Sequence, residues 1–345
     1  MLEDVNNYSS VGFANLDFSA TGTFVYVGAK GESQRAIFWL DSAGKTQPLF
    51  SAPGLFAMSP RFSPDGKHLA FAMDTRQARM DVWVQDLERG TTSRLTSLLG
   101  VNGWPVWTPD GKNIVFARTR APPRGLFWIR ADGSGEAQRL TDGKLLQSAT
   151  SFSPDGKRLA YFQPGPHGNS EIWTASVEGD NAHPRLGKAE PFLRTQFISE
   201  RDPVFSPDGR WLAYSSDETG IFEVYVRPFP GPGSKSQIST GGGQLPIWSR
   251  ASELFFVSND HRIMVAGYTV KGDTFAAGRP TEWSQKSLSY VSADGCYDLA
   301  PGGNRFAVVQ SPGGTAAEEQ KPIDSVTVLL NFFDELRRRV PARGK

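Results

Sequence analysis

A six-residue motif, an aromatic residue followed by Ser-Pro-Asp-Gly-Lys, recurs along this 345-residue chain and constrains its fold more than any other feature. A complete copy occupies residues 62–67, and an apolar segment at residues 69–72 follows it. Related copies begin at Trp107, Phe152 and Phe205. Self-similarity at a regular spacing is the sequence signature of a repeat architecture, so the motif decides the fold class before any single residue does.

The motif itself has the chemistry of a tight turn. Proline presets the φ of the first central turn position, aspartate suits the second, and glycine accepts the positive φ that leads into the next strand. With an aromatic residue before it and an apolar run after it, each copy predicts a β-hairpin. We assign turn-closing roles to the Asp-Gly pairs of the four copies: Asp65, Gly66, Asp110, Gly111, Asp155, Gly156, Asp208 and Gly209.

Three degenerate copies extend the series to seven anchors. The anchors lie at residues 18, 62, 107, 152, 205, 248 and 299, so the spacings are 44, 45, 45, 53, 43 and 51 residues. A period near 40–45 residues with several strands in each unit is typical of a β-propeller. The sequence therefore predicts an all-β propeller of seven four-stranded blades, with six blades as the alternative.

Each repeat supplies four strands, named A to D in chain order. Strand A ends at the anchor, and strand B follows the turn. Strand C has a large apolar or aromatic centre, as at residues 37–40 in the first repeat and 326–330 in the seventh. Strand D is short and more polar, which suits an outer strand that faces water, whereas strands buried on both faces form apolar runs.

The seventh repeat has no strand D after residues 326–330. Residues 2–5 precede the first anchor by sixteen residues, which is also the distance from Trp283 to the seventh anchor. We therefore expect this N-terminal segment to be the outer strand of the last blade, where it would remove an open sheet edge. The predicted organisation is a single propeller domain over residues 1–331, followed by a short helix and basic tail over residues 332–345.

Composition gives few hints about a partner. The 37 Lys and Arg residues nearly balance the 36 Asp and Glu residues, so there is no global reason to bind nucleic acid or an anionic membrane. A single cysteine, Cys296, cannot form an intrachain disulfide framework. No apolar run approaches the roughly 20 residues that span a bilayer, and the first residues lack the pattern of a signal peptide. We expect a monomer without membrane insertion, and the compartment stays open.

The motif and its following strand resemble the PD40, or WD40-like, repeats of the TolB-type β-propellers. The second half is also similar to the C-terminal propeller sensor region of bacterial serine/threonine protein kinases, in residues 208–214, 224–231, 239–243 and 326–338. The kinase motifs themselves, a Gly-rich GxGxxG loop, His-Arg-Asp and Asp-Phe-Gly, do not occur. The resemblance implies a non-catalytic propeller, and an extracytoplasmic or periplasmic setting if the chain is part of a larger protein.

No catalytic or metal-binding motif stands out. The histidines, His68, His167, His183 and His261, do not share a metal-ligand spacing, and there is no Gly-x-Ser-x-Gly elbow. We predict no enzyme activity, no cofactor and no metal site, and leave open a cation such as calcium in the channel. Acidic residues stand two positions before the strand C aromatic in three repeats, where arginine pairing or turn capping explains them: Asp81, Glu171 and Glu223.

The start of strand A is the best candidate for a binding site, because strand A of each blade lines the central channel of a propeller. Charged, amide and aromatic side chains near these starts could bind a small polar ligand, a peptide or a cation. Solvation of the loops and Arg–Asp pairing within them is the alternative. The candidates are Asn102, Trp104, Arg194, Glu200, Arg201, Asp202 and Gln244.

The sequence thus predicts a binding or sensor module for a protein, a peptide or a small polar ligand. The competing hypothesis is a propeller enzyme, a lyase or hydrolase, with its site at the mouth of the channel. Sequence alone keeps both open, because residues from separate blades converge only in the folded protein.

Overall fold

The computed structural model describes residues 7–8, 13–14, 16–19, 23–27, 35–50, 56–74, 79–143, 145–180, 183–231, 233–289, 295–310, 326–329 and 338. By their contacts the residues form two compact units, Arg35–Pro312 and the paired segments Met1–Gln34 and Gly313–Lys345. In the described ranges the regular elements are β-strands, and Arg338 has helical backbone. The predicted helix over residues 332–345 otherwise lies outside them, and the domain span 1–331 stays a prediction.

The described part of Arg35–Pro312 forms five sheets, which we divide into six blades, 1 to 6, each with strands A to D from one edge outward. Blades 1 and 2 belong to one eight-stranded sheet, in which Val101 pairs with Met80 in parallel. Blade 1 contains β7 (Phe56–Phe62), β8 (His68–Asp74), β9 (Met80–Asp86) and β10 (Thr92–Arg94). Blade 2 contains β11 (Val101–Trp107), β12 (Asn113–Thr119), β13 (Gly125–Arg130) and β14 (Gln138–Arg139). Blade 3 contains β15 (Ser148–Phe152), β16 (Arg158–Pro164), β17 (Ser170–Glu178) and β18 (Arg185–Leu193).

The next two blades repeat the antiparallel order. Blade 4 contains β19 (Glu200–Phe205), β20 (Trp211–Ser216), β21 (Glu223–Pro228) and β22 (Ser236–Gln237). Blade 5 contains β23 (Gln244–Trp248), β24 (Glu253–Val257), β25 (Arg262–Lys271) and β27 (Thr281–Ser287), and β26 (Thr274–Ala277) pairs with the far end of β25.

Blade 6 combines strands from distant parts of the chain. Strands A and B are β28 (Tyr297–Leu299) and β29 (Arg305–Gln310), while strands C and D are β5 (Ala36–Asp41) and β6 (Thr46–Phe50). Strand β5 runs antiparallel to β29, with Phe38 opposite Val308. The two ends of Arg35–Pro312 therefore meet in one sheet, which leaves no unpaired edge between the first and the last blade.

The other unit contains a small sheet and a hairpin in its described residues. Strand β4 (Phe24–Val27) lies between β3 (Leu16–Phe18) and β30 (Val326–Leu329). Strands β1 (Asn7–Tyr8) and β2 (Phe13–Ala14) pair with each other.

These pairings correct the strand assignment of the first and last repeats. Residues 37–40 do not join the sheet of β4, and β30 is not the third strand beside β29. The prediction that residues 2–5 form the outer strand of the last blade lies outside the described residues. In the described part, the outer strand of blade 6 is β6. The apolar run of β5 suits strand C of any blade, so its pattern did not reveal the sheet it joins.

The core of Arg35–Pro312 is divided among the spaces between blades. Buried side chains of blades 1 and 2 share a cluster, and so do those of every following pair up to blades 5 and 6. A further cluster joins Ile37 and Ala307 of blade 6 to Phe62 and Phe71 of blade 1. The blades therefore form a closed ring, as the sequence resemblance to propellers implied.

Candidate functional site

The repeated turns hold their own polar groups. Ser63 Oγ donates to Asp65 Oδ1 at 2.5 Å, the Lys67 N–H donates to the same oxygen at 3.0 Å, and Gly66 has a φ of 73°. These hydrogen bonds, led by that from Ser63, lower the pKa of Asp65. The hydroxyls of Thr108, Ser153 and Ser206 make the same bond to Asp110, Asp155 and Asp208. The carboxylates are thus occupied within their turns.

The acidic residues before the strand C aromatics are hydrogen-bonded within the blades and their loops, and one of them links two blades. Asp81 is fully buried, and its carboxylate accepts hydrogen bonds from Arg94 at 2.5 Å, Thr96 at 2.7 Å and Asn102 at 3.2 Å. Because Asn102 belongs to strand A of blade 2, this network links two blades. Glu223 is bonded in a related way by Ser239 and by the N–H of Gly242.

Three of the predicted site residues are therefore bound within the blades or between them. Asn102 is fully buried and donates to the Met80 and Leu98 carbonyls as well as to Asp81. Arg194 pairs with Glu171 at 3.2 Å. Glu200 is 3 % exposed and accepts a hydrogen bond from Thr195, and burial raises the pKa of its carboxyl. None of these three lines the central cavity described next.

A cavity of about 480 Å³ occupies the centre of the ring. Strand A of every blade contributes to its wall: β7, β11, β15, β19, β23 and β28. Its polar and aromatic lining includes Arg61, Trp104, Thr150, Asp202, Tyr297 and Asp298. Two of the seven predicted site residues, Trp104 and Asp202, lie in this wall.

Four of the six strands A share a β-bulge in which the residue before a proline has a positive φ. Trp104 has a φ of 55°, Asp202 of 57° and Leu245 of 57°, and Ser59 of blade 1 has the same conformation. The register of each strand shifts at this point. Left-handed backbone is unfavourable for non-glycine residues and tends to cluster at functional sites. A bulge also redirects side chains, which here belong to the channel wall.

Asp202 is almost fully buried in this wall. Its Oδ2 accepts a 2.9 Å hydrogen bond from Ser215 and lies 3.5 Å from Nε of Arg201. Burial raises the pKa of Asp202, and Arg201 and the Ser215 hydroxyl partly oppose that rise. Arg201 also donates to Gln244 at 2.7 Å and lies over the Phe222 ring at 3.8 Å. The structure thus joins three of the predicted residues, Arg201, Asp202 and Gln244, of which Asp202 lines the channel.

Sequence reasoning missed two further charged side chains in the wall, Arg61 and Asp298. Arg61 Nη1 donates to the carbonyls of Pro60 and Tyr297, at 2.9 and 3.2 Å. Asp298 accepts the Phe62 N–H at 2.7 Å. Burial raises the pKa of Asp298 to about 6, although the nearby Arg61 acts in the opposite direction. Tyr297, between them in the wall, donates its hydroxyl to the Leu245 carbonyl at 2.6 Å.

A signal for this pair exists in the aligned repeats. Arg61 and Asp298 both stand one residue before their anchors, Phe62 and Leu299. In the other blades this position holds an apolar residue or a serine: Val106, Ser151, Val204 and Ile247. A charge at this position distinguishes blades 1 and 6 from the other four blades, although the first repeat also has an acidic residue there, Asp17.

In the described ranges, no group of three or more His, Cys, Asp or Glu side chains could hold a metal ion. The same ranges contain no helix with the length and apolar composition that a membrane crossing requires.

The comparisons with known proteins agree with this geometry. Residues 18–190, half of the chain, match the family model described as PD40, TolB beta propeller domain. The chain belongs to this TolB β-propeller family. The closer resemblance to kinase sensor propellers stays a prediction. Among curated protein sequences, none matches the chain.

Solved structures show the same TolB-type fold. A putative TolB from Agrobacterium tumefaciens superposes with a TM-score of 0.59 at 17 % identity, over 82 % of this chain and 100 % of that one. For TolB from Acinetobacter baumannii the TM-score is 0.51 at 18 % identity, over 83 % of this chain and 66 % of that one. For a puromycin hydrolase mutant complexed with PGG the TM-score is 0.52 at 15 % identity, over 85 % of this chain and 57 % of that one. At these identities the likeness shows the propeller fold alone, which both TolB and a hydrolase contain.

Proposed function

We propose that this chain is a non-catalytic binding module whose ligand occupies the central channel. The observation that carries the proposal is the cavity of about 480 Å³ in which side chains of all six blades converge. Small-molecule sites in proteins are concave, with volumes of about 300–1,000 Å³, and combine apolar walls with a few placed polar groups. A small polar ligand or a short peptide segment would fit this space.

The lining gives the ligand both charge and stacking partners. Arg61 offers guanidinium N–H donors, while Asp202 and Asp298 offer carboxylate acceptors. Trp104 adds an aromatic face beside them. A ligand that carries donors, acceptors and a flat or apolar part, such as a peptide segment, would satisfy all of these groups together.

Two features support binding rather than catalysis. The residues that line the cavity include no histidine, the side chain that most often serves as a general acid or base. Asp202 is already engaged by Ser215 and Arg201. An enzyme of the lyase or hydrolase class stays the alternative, and the experiment below decides between them.

A thermal-shift screen with a channel-filling variant tests the proposal. The probes are a panel of amino acids, sugars, nucleosides and short synthetic peptides. Ser148 lines the cavity, so Ser148→Trp should fill part of it; Glu136→Trp places the same ring on an exposed turn of blade 2 as the control. A ligand at about 100 times its Kd stabilises a protein by about 2.7 kcal/mol.

The expected result is a probe that raises Tm by several degrees in the wild type and in Glu136→Trp but not in Ser148→Trp. The proposal fails if no probe shifts the wild type, or if the shift persists when the channel is filled. If NMR showed that the protein converts a stabilising probe into a product, the enzyme hypothesis would be favoured instead.

A further inference from the structure

Among the described residues, the large exposed apolar side chains lie at one end of the blades. In the described residues, the large hydrophobic side chains that are exposed are Leu99, Leu145, Leu146, Phe197 and Ile221. Four of them lie in loops that lead from strand D to strand A of the next blade, and Ile221 lies in a loop between strands B and C. Because neighbouring strands are antiparallel, these two kinds of loop share one end of the blades.

Hydrogen bonds and ring contacts connect these loops into a continuous row. Arg118 Nε donates to the Leu99 carbonyl at 3.2 Å, which ties the loop before blade 2 to the B–C loop of blade 2. Arg139 donates to the Arg124 carbonyl at 3.1 Å, which ties that B–C loop to the loop before blade 3.

The row then continues across blades 3 and 4. Gln147 donates to Gln163 at 3.0 Å, at the end of strand B of blade 3. Asn169 donates to the carbonyls of Thr195 and Ile198 at 2.9 and 3.1 Å, which fixes the loop that carries Phe197. We call the surface of this row the loop stripe, with Leu99, Arg120, Arg124, Leu145, Leu146 and Phe197 as its members.

Backbone strain marks two members of the loop stripe. Phe197 has a φ of 67° and Arg120 a φ of 65°, and both side chains are exposed, Phe197 by 71 %. A non-glycine residue in this conformation is unfavourable, a cost that glycine would avoid. His167 packs on the Phe197 ring at a centroid distance of 4.9 Å. The fold thus holds a large apolar ring in the solvent at a cost, which points to a role outside folding.

The charge of the loop stripe is positive. Its central loops are residues 120–124 and 139–147. In their described part they carry three arginines, Arg120, Arg124 and Arg139, and one acidic residue, Asp142. Farther round the same end, Asp217, Glu218 and Asp260 occupy the B–C loops of blades 4 and 5. A flat anionic membrane would contact not only the arginines but also these acidic residues, which would repel it. A single polypeptide segment can instead contact only the basic and apolar residues of the loop stripe.

We propose that the loop stripe binds an acidic polypeptide segment that carries apolar side chains. Its carboxylates pair with Arg120 and Arg124, and its apolar side chains cover Leu99, Leu145, Leu146 and Phe197. Protein interfaces are enriched in aromatic residues and arginine, and complementary charge supplies specificity and speeds association. This site is separate from the channel, so the proposal does not depend on whether a ligand binds in the channel.

Panning of a phage-displayed random peptide library on the full chain tests the proposal. Phe197→Asn and Arg120→Asn remove the two strained side chains, and asparagine tolerates positive φ, so both variants should stay folded. Arg89→Asn changes an 81 % exposed arginine in a C–D turn at the opposite end and is the matched control. Thermal melting of each variant verifies its folding.

The expected peptides combine Asp or Glu with Leu, Phe or Trp. Their synthetic forms should bind the wild type and Arg89→Asn alike, and Phe197→Asn and Arg120→Asn about tenfold more weakly, as for residues at the centre of an interface. The proposal would be overturned if the enriched peptides contained no Asp or Glu, or if the wild type enriched them no more than the Phe197→Asn protein does. Equal affinity of the peptides for the wild type and all three variants would also overturn it.

Two other occupants are tested in parallel. Vesicles of phosphatidylglycerol and phosphatidylcholine that sediment the wild type but not Phe197→Asn would replace the peptide with a membrane. A dimer in sedimentation equilibrium that Phe197→Asn abolishes would replace it with a second copy of the chain. Either result overturns the peptide proposal.

Discussion

The backbone N–H of Phe62 donates a 2.7 Å hydrogen bond to Oδ2 of Asp298, which lies 236 residues further along the chain. Phe62 ends strand A of blade 1, and Asp298 lies in strand A of blade 6, so this bond crosses the point where the ring closes. Indole N–H groups connect two other neighbouring pairs of strands A, from Trp107 to the Arg61 carbonyl and from Trp248 to the Val204 carbonyl. Hydrogen bonds therefore tie several neighbouring blades together at the wall of the channel.

The Asp298 carboxyl should make stability depend on pH. Burial raises its pKa to about 6 in the folded protein, against about 3.9 in an unfolded chain. The folded state then binds more protons between pH 4 and 6, so the free energy of unfolding falls as pH rises through that range. Asp298→Asn keeps an acceptor for Phe62 and does not titrate. Between pH 4 and 7 the stability of the variant relative to the wild type should rise by on the order of 1–3 kcal/mol.

Urea unfolding at several pH values measures this effect. Asp155→Asn is the control with the opposite sign, because the Ser153 hydroxyl lowers the pKa of Asp155 and the stabilisation it brings is lost as pH falls. Parallel curves for the wild type and Asp298→Asn would show that this carboxyl is not held in the channel wall as described.

Closure of the ring by β5 predicts a large effect from a small substitution. Ile37 is fully buried between blades 6 and 1. Ile37→Ala should lower the free energy of unfolding by about 2–4 kcal/mol, because it leaves a cavity in a packed core. Leu145→Ala, at an exposed position, should change it by less than about 0.5 kcal/mol. Equal stability of both variants in urea would contradict the placement of β5 in blade 6.

The network around Asp81 predicts a contrast between two acidic residues of the same blade. Asp81→Ala leaves Arg94, Thr96 and Asn102 without their buried acceptor, so we expect a loss of about 3–5 kcal/mol. Glu88→Ala removes an exposed pair with Lys67 and should cost less than about 1 kcal/mol. Denaturant unfolding of the two variants makes the comparison, and a loss below about 1 kcal/mol for Asp81→Ala would contradict the network.

The channel wall predicts variants that separate binding from stability. Trp104→Gly suits the φ of 55° at that bulge, so it should stay folded and yet bind a channel ligand about tenfold more weakly. Asp202→Asn should behave in the same way, because asparagine tolerates positive φ and can bond Ser215. Calorimetric titration with a probe from the thermal-shift screen measures both variants. Unchanged affinity in both would exclude these residues from the site.

The sequence was sufficient wherever local chemistry decides the structure. Residues 62–67 and their copies specify their turns through Ser–Asp hydrogen bonds and a glycine at positive φ, both of which act within a few residues. The strands of the second to fifth repeats follow directly from that pattern. Ring closure does not, because residues 37–40 have the same apolar character in whichever sheet they lie.

Prediction of the candidate site from the sequence was limited in the same way, because contacts between blades are not encoded within one repeat. Trp104 and Asp202 were found because each precedes a proline at the centre of strand A. Asn102 and Trp104 are two residues apart and would share a face in a regular strand. The bulge at Trp104 changes this, and Asn102 donates to Asp81 within the blades. Arg61 and Asp298 meet only because blades 6 and 1 are adjacent, and a single repeat contains no information about that contact.

A crystal structure with the most stabilising probe of the thermal-shift screen tests the central claim most directly. The claim predicts ligand density inside the channel, in contact with Trp104 and with Asp202, Arg61 or both. Density for the same probe at another surface, with the channel unchanged, would contradict it.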